Sequence, residues 1–179
     1  MPEAFEVLFN SFTQENMLSA NNYKGYKLIA CDGCNLTIAT NPNNVEMAYT
    51  YKSNQFGAIT NYLHLNAFYD VLNRIYHDAV LQTASEYQEC RACINMMKKS
   101  SLNEAILRAD RGYENHNVMA HAINKDWKFV IRIKDKNSNV IASGLKLSKT
   151  DIFDIAVSMT FTRQQRKMTK KAGYKFQSI

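Results

Sequence analysis

The sequence predicts an α/β fold in which a mixed sheet of short apolar strands is flanked by amphipathic helices. Three observations carry this reading. Apolar residues make up 46% of 179 residues, enough to build a core in about one domain of ordinary size. Proline and glycine number only 2 and 6, which excludes collagen-like repeats, Pro/Gly-rich linkers and a hairpin-dense all-β chain. Short apolar runs closed by turn residues alternate with stretches of helical apolar spacing.

Taken in order, Glu3 to Phe12 has apolar residues at 4, 5, 8, 9 and 12, a helix face. Residues 1–25 therefore read as an amphipathic helix and a lead-in. Tyr26 to Asp32 is a compact apolar run ending at an acid and Gly33, and Leu36 to Ala39 resumes after it. That pattern predicts a hairpin with Asp32 at its mouth. Residues 40–64 are polar and rich in Asn and Tyr, so they read as a surface loop. Two strand-like pieces follow, Ala67 to Leu72 and Asp78 to Gln82, and then a helix from Ser85 to Lys99. Ala105 to Asp110 is too short for a helix and ends in an acid with Gly112 just beyond. A second helix fits Asn115 to Lys125, with Val118, Met119, Ala122 and Ile123 on one side, and Phe129 to Ile133 is the next strand. The element order ββ-β-α-β-α-β puts an Asp at the carboxyl end of the first and fourth strands.

Charge is divided unevenly. Residues 1–119 carry a net −3 and residues 120–179 a net +9, within an overall +6. Six cations (Arg163, Arg166, Lys167, Lys170, Lys171 and Lys175) occur between 163 and 175 with no acid among them. Such a run attracts a phosphate backbone through counterion release, or it is a solvated tail. No apolar run reaches the roughly 18 residues of a membrane span, and acids at Glu3 and Glu6 stand where a secretory signal carries cations. The expectation is a soluble, cytoplasmic protein with no membrane partner.

Four cysteines lie in two CxxC pairs, Cys31/Cys34 and Cys90/Cys93, which raises a zinc-stabilised module as an alternative. Fifty-five residues separate the pairs, and positions 87, 90, 93, 94 and 97 follow a helical stripe, so a buried helix face explains the second pair without metal.

Acids at two strand ends, brought side by side in one sheet, are what a hard divalent cation requires. Alone, an Asp at a strand end is usually just a turn former or N-cap. The block Asp110-Arg111-Gly112-Tyr113-Glu114 between an apolar strand and a helix, together with Ala30-Cys31-Asp32-Gly33-Cys34, resembles the DDE transposases of bacterial insertion sequences, and more narrowly their insertion-sequence-four branch. The likeness extends through Tyr23-Lys24-Gly25-Tyr26, Leu63 to Asp70 and Phe129 to Asp135. Cys34 and Asn115 stand where the family more often has Ser. The resemblance implies a ribonuclease-H-like core over residues 26–135, with Asp32 and Asp110 as the first two metal-binding acids for Mg²⁺ or Mn²⁺. It implies two-metal, in-line cleavage and strand transfer on double-stranded DNA at transposon ends, by a homodimer in the full-length protein. Arg111 and Tyr113 would contact DNA phosphate or hold the loop, and the six cations of the tail would add to DNA binding.

The family's third acid, a Glu in a Tyr-Arg-Glu-Lys type helix, has no match after Asp110, where Asp151 and Asp154 are the only acids of the tail. Residues 136–179 resemble the start of the mostly-β insertion that precedes that helix. The chain thus reads as an incomplete domain, from a truncated gene or an excised piece, inactive in cleavage by itself. A non-catalytic DNA-binding remnant is the alternative from another functional class.

Overall fold

Strands β1 (Lys27–Ile38), β2 (Ala48–Thr50), β3 (Ile59–Asp70) and β4 (Ile75–Thr83) lead into helix α1 (Glu89–Lys99), strand β5 (Ala105–Ala109), helix α2 (His116–Asn124) and strand β6 (Lys128–Ile131). The computed structural model describes residues 21–44, 48–50, 59–134 and 152–158, together with residues 7, 11, 141, 145, 147, 148 and 150. The expected N-terminal helix over residues 3–12, apart from residues 7 and 11, the basic run 163–175 and nearly all of the expected β insertion lie outside the described residues.

β1 is the hub of a mixed sheet. It pairs antiparallel with β3 on one side and parallel with β5 on the other, and β6 continues in parallel beyond β5. The far edge of β3 is shared, with β4 along Leu63 to Asp70 and β2 along Ile59 to Asn61. This six-stranded sheet, with two helices, is the α/β architecture expected from the sequence and is consistent with a ribonuclease-H-like fold. At the amino end, the Tyr23-Lys24-Gly25-Tyr26 motif is a two-residue hairpin turn. Lys24 and Gly25 both have positive φ (52° and 88°), and Tyr23 and Tyr26 exchange backbone hydrogen bonds of 2.9 and 3.0 Å.

Alternation along the strands decides what each face carries. Ile29 and Cys31 of β1, Phe68 of β3, and Ala105, Leu107 and Ala109 of β5 point to one side. There they join Cys93, Ile94, Met96 and Met97 of α1, Val118 and Ala122 of α2, and Trp127 in one buried cluster. Trp127, 3% exposed, donates its indole N–H to the Leu102 carbonyl at 3.0 Å. Asn115 caps α2 by accepting the Asn117 N–H at 2.8 Å, which explains why the helix starts where the sequence predicts. Both helices cover this face. The opposite face, which carries Ala30, Asp32, Arg108 and Val130, has no helix among the described residues.

Two expectations are corrected. β1 is one twelve-residue strand, and its ladder to β3 runs unbroken from Ile29 opposite Asp70 to Ile38 opposite Asn61, so no hairpin turns at Gly33. Residues 59–64 are not loop but the first half of β3. The sequence reading missed them because the positions facing the helices include polar residues. His64, Asn66 and Asp70 are buried there, and Asn61 is buried on the other face, all at 0–3% exposure. Near the start of β1, opposite Ile29, Asp70 accepts the Leu72 and Asn73 N–H groups at 3.0 and 3.1 Å and lies 3.8 Å from the Lys27 ammonium. This carboxylate pins the β3–β4 turn.

Candidate functional site

β5 stops at Ala109, which lies opposite Cys31 in the parallel ladder with β1. The next residue on each strand is an aspartate. Asp110 keeps an extended backbone (φ −81°, ψ 175°), so Asp32 and Asp110 succeed a registered pair on neighbouring strands, which in any sheet run about 4.8 Å apart. Alternation sends both side chains to the face away from the helices, where both residues are exposed. One Asp32 oxygen, Oδ1, accepts the Gly33 N–H at 2.8 Å. β6 adds a third member to the row. Ile131 lies opposite Ala109, Arg132 N–H donates to the Ala109 carbonyl at 3.1 Å, and Arg132 Nη1 is 3.8 Å from Asp110 Oδ1. Asp32, expected at a strand end, thus lies in the middle of β1, and beside it stand Asp110 and Arg132, each the residue directly after its strand, so that the three form a row across neighbouring strands.

The Asp110–Glu114 block divides its labour. Arg111 is exposed, at the start of a 3₁₀ turn over Arg111–Tyr113. Tyr113 is 1% exposed, and its hydroxyl donates to Asn66 Oδ1 at 3.3 Å, which is the loop-holding role of the two that the sequence left open. Burial, with Cys31 beside it, holds the Tyr113 phenol far above its ordinary pKa of 10.0, so it stays a neutral donor. Glu114 accepts the backbone N–H groups of Lys134 and Ile141 at 2.8 and 2.9 Å, so its carboxylate ties down the chain that leaves β6.

Beneath the two aspartates, on the helix side, lies a polar cluster. His64 (3% exposed) places Nδ1 2.6 Å from Asn35 Oδ1 and Nε2 3.6 Å from Glu89 Oε1. The Tyr87 ring meets the imidazole edge-on at 4.3 Å, and its hydroxyl hydrogen-bonds Glu89. Burial first, and then this carboxylate, pushes the Tyr87 phenol up to about 12.

The cysteines do not converge as two pairs. Cys31 faces the helices and hydrogen-bonds Cys93, a contact that together with burial raises the Cys93 thiol well above its usual pKa of 9.0. Cys34, an odd number of residues further along β1, is exposed on the opposite face. It lines a cavity of about 280 Å³ together with Asp32, Leu65, Tyr69 and Tyr76. Among the described residues no three His, Cys, Asp or Glu side chains come together in a group that could hold a metal ion.

Of the residues singled out in the sequence, Asp32, Asp110 and Arg111 lie on or beside one row across neighbouring strands, Tyr113 is buried below it, and Arg163, Arg166, Lys167, Lys170, Lys171 and Lys175 lie outside the described residues. Sequence reasoning missed Arg132, His64 and Glu89. Only Arg132 left a local signal, as a cation directly after an apolar strand. No helix among the described residues is long and apolar enough to cross a membrane.

Comparison with curated proteins returns no match. A family model described as "Transposase DDE domain", in contrast, matches residues 23–175, which takes in β1 to β6, α1, α2 and the aspartate pair. The chain belongs to the transposase DDE domain family.

Proposed function

We propose that Asp32 and Asp110 together hold a divalent cation, Mg²⁺ or Mn²⁺, at which a DNA phosphodiester at a transposon end is cleaved and joined. The observation that carries this is the succession of Asp32 and Asp110 after the registered pair Cys31 and Ala109, on the face that no described helix covers. The two residues fit such an ion. Both are hard oxygen donors, and their exposure leaves room for the waters and phosphate oxygens that complete its shell. Bound there, the cation supplies positive charge to the phosphoryl oxygens and activates an attacking water or 3′-hydroxyl.

The chain's own residues supply the rest. Arg132 and Arg111 present guanidinium groups beside the acids, suited to orient a phosphate. Tyr113 and Glu114 fix the loop that carries Asp110. The six cations from Arg163 to Lys175 attract the duplex by charge. The Asp110-Arg111-Gly112-Tyr113-Glu114 block in its strand-to-helix setting supports assignment to the insertion-sequence-four branch. Glu114 is engaged by backbone donors and Asp154 is exposed, so among the described residues two carboxylates converge where the resemblance implies three. Cleavage by this chain alone is accordingly weak or absent.

The test combines duplex DNA titrations at several salt concentrations with nicking assays in Mg²⁺ or Mn²⁺. It uses the chain, Asp110→Ala and a deletion of residues 163–179. Salt-sensitive binding that the deletion weakens is expected, with a slope of log K against log salt of about −0.9 per phosphate neutralised. Robust nicking that Asp110→Ala leaves untouched would refute the proposed site.

A further inference from the structure

Each of the two aspartates is followed closely by a glycine, Gly33 after Asp32 and Gly112 two residues after Asp110, and neither glycine has a positive φ. At Gly33 packed side chains stand where a side chain would begin, and at Gly112 the tip of one side chain comes to the edge of that space. A Cβ on Gly33 would lie 2.5 Å from His64 Nε2 and 2.8 Å from Asn66 Oδ1. A Cβ on Gly112 would lie 3.0 Å from Glu89 Oε2. The two obstructing side chains face each other, with His64 Nε2 3.6 Å from Glu89 Oε1, and that buried nitrogen has no hydrogen-bond partner among the described residues. His64 comes from β3 and Glu89 is the first residue of α1, so neither belongs to the strands that carry the acids.

We propose that His64 and Glu89 are positioning residues for the cation site: a two-part strut that bears on the backbone behind Asp32 at one end and behind Asp110 at the other, and so sets the separation of the two carboxylates. The inference rests on the reading of Asp32 and Asp110 as a shared cation site. The strut acts through reach and shape. Gly33 is seated directly on the imidazole, and the depth of the Asp110–Tyr113 turn is set by how far the Glu89 carboxylate extends. Two further contacts hold Glu89 in register with that turn. The Tyr87 hydroxyl binds its carboxylate, and the Sγ–H of the next residue, Cys90, reaches the Gly112 carbonyl at 3.5 Å. A buried imidazole opposite a carboxylate beyond hydrogen-bond range is a poor way to stabilise a core, where an apolar pair would avoid the desolvation. It is an effective way to hold two backbones at a fixed distance.

The experiment is a Mn²⁺ titration of the full chain, following the free-ion electron paramagnetic resonance signal, with the unfolding transition of each variant measured in parallel. Asp110→Asn is the control for the site itself. Glu89→Gln keeps the reach and loses the charge, and should leave Mn²⁺ affinity within about threefold, whereas Glu89→Asp keeps the charge and loses the reach, and should weaken it about tenfold, as outer-shell changes commonly do. Gly112→Ala presses on the same contact from the other side and should weaken affinity likewise. Combined with Glu89→Asp it meets the space that the shorter side chain vacates, so the double variant should recover affinity. Loss of Mn²⁺ binding in Asp110→Asn with no change in Glu89→Asp, or a double variant as weak as its two parents combined, overturns the strut and leaves the cation site standing. Unaltered Mn²⁺ binding in Asp110→Asn overturns the cation site itself. Equal weakening by Glu89→Gln and Glu89→Asp would assign the effect to charge and also overturn the strut.

Discussion

Arg132 Nη1 stands 3.8 Å from Asp110 Oδ1, on the strand next to the one that carries the aspartate, with side chains 72% and 58% exposed. An ion pair so open to solvent is worth at most about 1 kcal/mol in stability. Its effect belongs to recognition. Arg132→Ala should leave the urea unfolding free energy within about 1 kcal/mol of the parent. The same change should flatten the salt dependence of DNA binding by about one phosphate contact and leave Mn²⁺ affinity no weaker. A large stability loss with unchanged DNA binding would reverse this assignment.

Gly33→Ala should destabilise the chain by about 1–3 kcal/mol, because the added methyl overlaps His64 Nε2 at 2.5 Å and Asn66 Oδ1 at 2.8 Å in a packed layer. In a His64→Ala background most of that loss should disappear. Urea titrations of the four proteins form the cycle that checks it. The single tryptophan, Trp127, buried against Phe68 with ring centroids 6.0 Å apart, reports unfolding of that core.

Tyr113 and Arg111, separated by one residue, should behave oppositely. Tyr113→Phe loses a buried hydroxyl donated to Asn66, so stability should fall by about 0.5–1.5 kcal/mol with DNA affinity intact. Arg111→Ala should leave stability unchanged within measurement and weaken DNA binding in a salt-sensitive way. Paired denaturation and DNA titrations distinguish the two.

How much of this was legible in the sequence follows from the range of the contacts. The β5–turn–α2 segment was readable because its determinants are local: an alternating apolar run, an acid, a glycine and an Asn cap lie within eleven residues. β1 was misread as a hairpin because an Asp-Gly between apolar runs looks like a turn, while Gly33 is required by His64 and Asn66, some thirty residues away in sequence. The first half of β3 was lost because its buried positions include Asn61 and His64, which a hydrophobicity pattern counts as solvent-facing. The strut of His64 and Glu89 joins β3 to α1, so no window of sequence contains both of its ends. That Asp32 and Asp110 are neighbours was implied by the family resemblance, and the parallel ladder of β1 with β5 supplies its physical reason.

Stability should decline as pH falls below neutrality. Burial holds His64, His77 and His121 below the ordinary imidazole value of 6.5, partly opposed by Glu89 at His64 and by Asp70 at His77. The unfolded chain takes up protons near pH 6.5, and the folded chain resists until its lower values are reached. Below about pH 6.5 the unfolded state therefore binds more protons and is favoured. Urea midpoints at pH 7.5 and 5.5 should differ in that direction, and His121→Gln should reduce the difference. A midpoint that rises on acidification would contradict the assignment of these three imidazoles as neutral in the folded state.

The claim that Asp32 and Asp110 share one cation is tested most directly by iron-directed backbone cleavage. Fe²⁺ occupies oxygen-ligand sites of the kind that hold Mg²⁺, and with ascorbate and peroxide it generates hydroxyl radicals that cut the chain nearest the ion. Two cuts are predicted, one beside Asp32 in β1 and one beside Asp110 after β5. Excess Mg²⁺ should suppress both, and so should either Asp32→Asn or Asp110→Asn alone. Cuts elsewhere, or a cut at one aspartate that survives replacement of the other, would contradict a shared site.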